Sequence, residues 1–406
     1  MMSPFFVTHS DRISLAKKRY FEEGVLPSGL VNDAIFQSWA RCYRLQQKPT
    51  DKIEFQPVTF SRSQLAIQKN RKLHEAWLKE LPALGVALGS ASCSAILTEA
   101  SGVLIGVSPS GNHNQNIIPI AHRLGVNLSE EYVGTTAPGI AARTGKQSCV
   151  LGAEHFFESV NTMYCTAAPI RNIHGELAGV LDISSEGSSF QFDPTTVVGI
   201  YAASIENRLM IAQSHEHLVV KFQFIPTILD TPMVGIIGFD LTGKLAWVNT
   251  VASNLLGIKL SPSVSESRNV EDIFACNFSQ LASLAGRGLT SQRLSNGLHI
   301  FLACEMSAKI PASESLGISH NVSDGYRDTV EASQISVVTD ESEKTTHNDS
   351  LADSLQQADA HLIQKYMIEF NGNVSQVAKR LKVSRGLVYR RLEHLGIDSV
   401  VYKKKS

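Results

Sequence analysis

Cysteine is sparse and scattered. Cys42, Cys93, Cys149, Cys165, Cys276 and Cys304 form no CxxC pair and have no clustered histidine partner. That spacing excludes a zinc knuckle and gives no disulfide framework, so the thiols are expected to be small buried hydrophobes in a reducing compartment. Apolar runs are short: none approaches the ~20 residues of a membrane helix. The opening MMSPFFVTHSDR lacks a basic stretch followed by an apolar core, so neither membrane insertion nor secretion is expected and the location reads as cytoplasmic. The phosphate-binding pattern GxxxxGK[ST] is missing throughout; Gly145-Lys146-Gln147-Ser148 lacks the upstream glycine. No haem or flavin motif is present, and no cofactor or metal site is expected. What remains is a chain of 406 residues, 43% hydrophobic and 18% charged, with a formal net charge of −1. It is long enough for two or three domains, each with its own core.

The most informative stretch is the last. SLADSLQQADAHLIQKYMIEFNGNVSQVAKRLKVSRGLVYRRLEHLGI divides into three helical pieces. The first opens on the capping pair Ser350 and Asp353 and carries Leu355, Leu362, Tyr366 and Phe370 at helical spacing. Gly372 ends it, and Asn373, with Gln376 three residues on, starts the second piece, Val374 to Leu381. After Lys382-Val383, Ser384 caps a third helix whose apolar side is Val388, Leu392 and Leu395. Two short helices joined by a three-residue turn fit a helix-turn-helix. From Val374 to Ser406 there are nine Lys or Arg against Glu393 and Asp398, a local excess of +7 that suits phosphate contacts on double-stranded DNA. Ser384, Arg385, Gly386, Leu387, Tyr389, Arg390 and Arg391 are the expected DNA-binding positions. A solvated basic hairpin without a partner is the alternative. NVSQVAKRLKVSRGLVYRRLEHLGI resembles the C-terminal DNA-binding element of the Fis family. The resemblance implies that the helix before it helps pair two subunits, so a homodimer is expected.

Earlier in the chain, residues 1–83 read as a helical N-terminal region, with helices at 13–23, 30–45 and 62–81. NDAIFQSWARC carries a Trp that requires burial but no evident chemistry. A Ser-Trp-x-Arg segment of this kind is similar to one near the N-terminus of bacterial regulators related to the acetoin-catabolism activator. Residues 84–217 alternate strands and helices in an order that predicts an antiparallel α+β sheet. Strand, turn and strand occur in SAILTEASGVLIGVS, and helices are expected at 117–124 and 137–143. Further strands are expected at 147–151, 164–171 and 176–184, before a long helix from Pro194 to about His217. EEYVGTTAPGIAARTGKQSCVLGAEHFF and YCTAAPIRNIHGELAGVLDISS resemble the GAF domain of the same regulators. GAF domains enclose a small-molecule pocket, which makes Thr135, Thr136, His155, Tyr164 and Cys165 the candidate ligand-binding residues for an unidentified effector. The competing reading makes the threonines helix caps, His155 a backbone bridge and Cys165 core.

Residues 218–307 read as helix, strand, turn, strand and helix, then strands at 292–294 and 299–307. The turn Asp240-Leu241-Thr242-Gly243 followed by Val248-Asn249 resembles the first half of a PAS domain. Residues 308–350 are rich in Ser, Thr, Asp and Glu without apolar periodicity and read as a flexible acidic linker. The expected fold class is therefore multidomain α+β: GAF-like and PAS-like antiparallel-sheet sensor domains followed by an all-α Fis-type helix-turn-helix over 351–406.

In the regulators this chain resembles, an ATPase that remodels sigma-54 RNA polymerase stands between sensors and DNA-binding helices. Only about 43 residues fill that interval here. The leading expectation is a ligand-responsive, sequence-specific DNA-binding transcriptional regulator without its own ATPase, not an enzyme. Alternatives are a modulator or antagonist of a full-length related activator, and a sensory adaptor that never touches DNA. A GAF-type methionine-sulfoxide reductase would require Cys93, Cys149 and Cys165 to converge.

Overall fold

The computed structural model describes residues 8–89, 93–109, 115–259, 267–307, 370, 373–381 and 385. The chain divides into two units, Met1–Ser319 and His320–Ser406.

The first unit opens with helices whose caps are written in the sequence. In α1 (His9–Phe21), Thr8 Oγ1 accepts the Asp11 N–H while the Asp11 carboxylate accepts the Thr8 N–H, closing a capping box. In α2 (Asp33–Arg44), Asn32 Oδ1 accepts the Ala34 N–H. The helix expected at 62–81 is two helices, α3 (Phe60–Lys69) and α4 (Arg71–Leu88). They break at Asn70, whose amide donates back to the Ala66 carbonyl and diverts the helical ladder.

A five-stranded antiparallel sheet follows, in the order β2-β1-β5-β4-β3. Its strands are β1 (Cys93–Glu99), β2 (Leu104–Val107), β3 (Ser148–Leu151), β4 (Met163–Arg171) and β5 (Leu177–Glu186). Between β2 and β3 lie the short helices α5 (Ile118–Ala121), α6 (Glu130–Val133) and α7 (Ala137–Thr144). The helix expected at 117–124 is a single turn. Period-two alternation decides what each sheet face meets. Leu97, Ile105, Ile170, Leu181 and Ile183 pack with Leu73, Trp77 and Leu84 of α4 and with Ile205 and Leu209 of α8 (Pro194–Gln213). Cys165, Ala167 and Val180 pack on the other side with Ile13, Trp39, Ile140 and Phe156. The N-terminal helices α1 and α2 thus share a core with the sheet.

α8 begins with Asp193 accepting the Thr195 N–H and with Pro at its first position, as expected, but it stops at Gln213. The segment read as helical beyond it contains a strand, β6 (Leu218–Gln223), and then one 3-10 turn, Pro226–Ile228. Both faces of β6 are buried, so its apolar residues run together and mask the alternation that marks a half-exposed strand. β6 is the middle strand of a second antiparallel sheet, ordered β8-β7-β6-β10-β9. The other strands are β7 (Gly235–Phe239), β8 (Leu245–Val248), β9 (Thr290–Arg293) and β10 (His299–Met306). Leu218, Val220, Phe222, Phe239 and Leu302 form its own core with Phe274, while Val219, Ile236 and Trp247 pack on Met210 of α8. Gly238 is a close-approach glycine: a Cβ there would collide with the Trp247 indole.

α8 joins the two sheets through buried polar groups as well. The Glu206 carboxylate accepts the N–H of Arg171, the last residue of β4, at 3.0 Å. It also accepts the N–H of Thr250, the first residue of α9 (Thr250–Leu256), at 2.9 Å. A carboxylate at that helix N-terminus is favoured by the exposed N–H groups and the dipole. Asn207 Oδ1 accepts from Asn249 Nδ2 at 2.7 Å. Asn249 is fully buried; its amide also donates to Val234 O, and its Oδ1 accepts the Ile236 and Ala252 N–H groups. Every hydrogen-bonding site of this side chain is thereby used. Replacing Asn249 with Ala orphans two N–H groups, the Val234 carbonyl and the Asn207 side-chain oxygen, and removes the α9 cap. The expected loss is about 2–4 kcal/mol, read as a lowered unfolding midpoint in urea. An unchanged midpoint would show that the junction does not hold the sheets together.

In the second unit, Asn373 Oδ1 accepts the Ser375 and Gln376 N–H groups and starts the helix Val374–Leu381, which buries Val374, Val377 and Ala378. The expected acidic linker and the flanking helical pieces lie outside the described residues.

Candidate functional site

The Ser38-Trp39-Ala40-Arg41-Cys42 stretch of α2 is a latch. Arg41 forms a two-pronged pair with Glu130, Nε and Nη2 each 2.6 Å from a carboxylate oxygen. That is the strong planar geometry available to guanidinium. Ser38 Oγ lies 2.6 Å from the same carboxylate and 2.8 Å from Thr135 Oγ1. Trp39 is buried and donates from Nε1 to the Glu154 carbonyl at 2.8 Å. From α1, Lys17 Nζ donates to the His155 and Phe156 carbonyls at 2.6 and 3.3 Å. Burial pushes this ammonium down to about 8. α1 and α2 therefore grip two loops, 129–136 and 152–157, from outside.

Beneath the gripped loops, against one face of the first sheet, is a cavity of about 40 Å³. Ile53, Phe55, Leu128, Val133, Pro138, Val160 and Met163 give it an apolar wall. Its polar groups are His122, Thr136, His155, Cys165, Asp182 and Ser184. Alternation along β5 sends Asp182 and Ser184 to this side while Leu181 and Ile183 face the opposite core.

Of the five ligand candidates, Thr136, His155 and Cys165 line this cavity; Thr135 and Tyr164 do not. Thr135 is bonded outward to the latch, where Ser38 and Cys42 meet its hydroxyl. Tyr164 is one residue out of phase with Cys165 on β4, which sends it away from the cavity. Thr136 caps α7 by accepting the Gly139 N–H at 3.2 Å, so its hydroxyl is largely committed. The sequence reading passed over His122, Asp182 and Ser184. The available signal was one Asp inside the otherwise apolar strand LAGVLDISS, a position where an unpaired carboxylate is costly.

The electrostatics are set by burial. Asp182 is 1% exposed, and desolvation raises it to about 7, partly offset by the Ser184 hydroxyl, which donates to Oδ2 at 2.5 Å. His122 and His155 are both pushed down to about 4 by burial and are neutral near pH 7. Cys165, beside Asp182 and 3.2 Å from Ser184 Oγ, is raised well above an ordinary thiol, chiefly by burial. His155 Nδ1 lies 2.9 Å from the Gly152 carbonyl, which can only accept, so the proton sits on Nδ1 and Nε2 is a lone-pair acceptor. His155 Nε2 and Asp182 Oδ1 are fully buried without a hydrogen-bond partner in the protein.

The larger concavity, about 550 Å³, is an open surface cleft beside Arg41, Arg44 and Arg143, and its Arg41 is already engaged by Glu130. Among the described residues there is no cluster able to hold a metal ion. Nor is any described helix long and apolar enough to cross a membrane. Of the expected DNA-binding positions Arg385 is described, helical and exposed. Ser384, Gly386, Leu387, Tyr389, Arg390 and Arg391 lie outside the described residues.

The described residues thus hold two five-stranded antiparallel sheets and a capped helix at the position expected for a helix-turn-helix. Residues 8–207 match the family described as "MimR, N-terminal domain", and residues 354–395 match "Bacterial regulatory protein, Fis family". The chain is 28% identical over 257 residues to the "Acetoin catabolism regulatory protein" of Cupriavidus necator, covering 61% of this chain and 38% of that protein. It is 25% identical over 198 residues to the "Propane 2-monooxygenase operon transcriptional activator MimR" of Mycolicibacterium smegmatis, covering 48% and 32%. Against the "Acetoin dehydrogenase operon transcriptional activator AcoR" of Bacillus subtilis it is 29% identical over 171 residues, covering 41% and 28%. The chain is thus a homologue of bacterial transcriptional activators of the acetoin-catabolism and MimR type. It spans less than two fifths of the length of these relatives.

The Asp182 carboxyl, raised in the folded state, stabilises the fold fully below its unfolded value near 4 and loses that contribution as pH rises through about 7. His122 and His155, depressed, act oppositely, losing stability as pH falls from about 6.5 towards 4. Asp182→Asn removes only the first effect. Its melting temperature should therefore gain on the natural protein between pH 5 and pH 8 and level off above that. The ceiling is about 4 kcal/mol, since each tenfold change in proton affinity is worth about 1.4 kcal/mol. A difference independent of pH would show that Asp182 is already charged at pH 5.

Proposed function

We propose that this protein is a cytoplasmic, ligand-responsive, sequence-specific DNA-binding transcriptional regulator that works as a homodimer. The observation that carries the reading is the Fis-family match over 354–395, with Asn373 capping the helix Val374–Leu381 inside it. Ser384, Arg385, Gly386, Leu387, Tyr389, Arg390 and Arg391 present the recognition helix to the major groove, with Lys and Arg neutralising phosphates. Two copies place two such helices on half-sites about one duplex turn apart. The effector occupies the cavity under the latch, where Thr136, His155 and Cys165 meet it.

A catalytic role is disfavoured by the thiols. Strand register sets Cys149 opposite Thr166 and Cys165 opposite Val150, so the two sulfurs leave the sheet on opposite faces. Burial raises both above the ordinary thiol range, which suppresses the nucleophilic thiolate. The absence of GxxxxGK[ST] from the sequence favours one variant of the regulator, in which it competes with a full-length relative for operators or pairs with it.

Replacing Arg385 and Arg390 together with Ala should weaken binding to selected genomic operator fragments at least tenfold and flatten the dependence on salt. Unchanged mobility-shift titrations would reject the DNA-binding assignment.

A further inference from the structure

Strand β4 ends in an irregularity that α8 repairs. Its pairing with β5 shifts register between Ile170 and Arg171, and the Arg171 N–H is taken by Glu206 Oε2 of α8, 3.0 Å away. The other oxygen, Oε1, accepts the Thr250 N–H at 2.9 Å, where α9 begins. Glu206 is 3% exposed, so both bonds are shielded from water. Asn207, the next residue, bonds Asn249 and donates to the Pro232 carbonyl at 3.0 Å. Two consecutive side chains of α8 thus hold the end of β4 together with Pro232, Asn249 and Thr250 beyond it. Met210, Ile173 and Trp247 also pack at this junction. Their attraction declines gradually as groups slide, whereas a hydrogen bond weakens steeply with angle.

A buried carboxylate with one N–H on each oxygen tolerates little displacement. Burial favours its neutral form, and the bonds from Thr250 and Arg171 oppose that preference. If β4 or α9 shifts alone, one oxygen loses its donor where no water replaces it, and the charge becomes more costly. The strand end and the helix start therefore move together, or the clamp opens. β4 extends this constraint to the cavity. Its Cys165 shares that space with two unpaired anchor atoms, His155 Nε2 and Asp182 Oδ1.

We propose that Glu206 is a positioning residue that couples the two sheets: it clamps the end of β4 to the start of α9, so a displacement of the strand is passed to the second sheet. The biological use of the clamp rests on the reading of the cavity as the effector site. The clamp itself does not, and its test uses no ligand.

That test is hydrogen exchange of the full-length protein near neutral pH, read by mass spectrometry on peptides covering 249–257. Val150→Ala supplies the displacement. Val150 is buried on β3 opposite Cys165 of β4 and packs in the core shared with α1 and α2, not against α8. Glu206→Gln opens the clamp, because the amide has one accepting oxygen and sets a donor against the other N–H. Thr250→Pro opens it from the far side without touching Glu206. Proline is favoured at the first helical position, and Asn249 is already extended as a residue before proline requires. Alone, Val150→Ala should speed exchange over 249–257 about threefold, and either clamp variant about fivefold. Added to either clamp variant, Val150→Ala should leave that exchange unchanged, since the displacement no longer reaches α9. Melting curves establish that each variant is folded; if Glu206→Gln is not, Thr250→Pro carries the test. Unchanged exchange in the clamp variants, no response of 249–257 to Val150→Ala, or full additivity of the two changes would each overturn the coupling. A protein that binds no effector in the cavity yet shows the non-additive pattern refutes the effector reading and leaves the clamp standing.

Discussion

The Arg41–Glu130 pair and the bonds around it are the constraint on which the first sheet and its cover depend. Without α1 and α2 the loops 129–136 and 152–157 would lie over the sheet with no outer support, and the cavity would open to water. Their attachment is polar as well as apolar. Arg41, Ser38, Trp39 and Lys17 all bond to loop carbonyls, one loop carboxylate or a loop hydroxyl. Such bonds have directional requirements, whereas an apolar interface slides. The match to the MimR N-terminal domain starts at residue 8 and so includes these helices, in keeping with a sensor whose cover and sheet form one folding unit.

The second sheet is attached by one helix. α8 packs on the face of the first sheet opposite the cavity and uses Glu206, Asn207 and Met210 to hold the second sheet. Glu206 is the narrowest link, since its carboxylate takes one N–H from β4 and one from α9. β4 also carries Cys165 at the cavity. A continuous chain of packed and hydrogen-bonded groups therefore runs from the cavity through β4 and Glu206 to α9. Contiguity of this kind is a physical precondition for coupling and is not by itself coupling.

What was legible in the sequence were features with local causes. The start of α8 at Asp193-Pro194, the cap at Asn373, the Asp240–Gly243 turn and the strands of the first sheet all rest on neighbours within a few residues. The latch was not legible, because its partners are far off: Trp39 bonds a carbonyl 115 residues away and Arg41 a carboxylate 89 residues away. Sequence reading could state that Trp39 must be buried, but not what it would hold. β6 was missed because strands buried on both faces lose the alternation that identifies them. Among the ligand candidates, Thr135 and Thr136 were adjacent in a suggestive motif, yet extended backbone points neighbours in opposite directions. One turned to the latch and the other to the cavity. Asp182 was visible as an anomaly in its strand and passed unremarked.

On the proposed reading, His155 is where an occupant of the cavity would meet the cover. Its side chain lines the cavity while its own carbonyl accepts from Lys17 of α1, and the adjacent Glu154 carbonyl accepts from Trp39 of α2. A ligand that pairs Nε2 thus stabilises the same short loop that the cover grips. With both anchors unpaired, each buried polar atom costs about 1–3 kcal/mol. Any arrangement in which the cover loosens and water reaches them recovers part of that cost. A ligand that satisfies them removes the incentive to open. The wall favours burial in general, whereas the anchors decide which molecule is able to keep the cover shut. Only such differential affinity shifts a population.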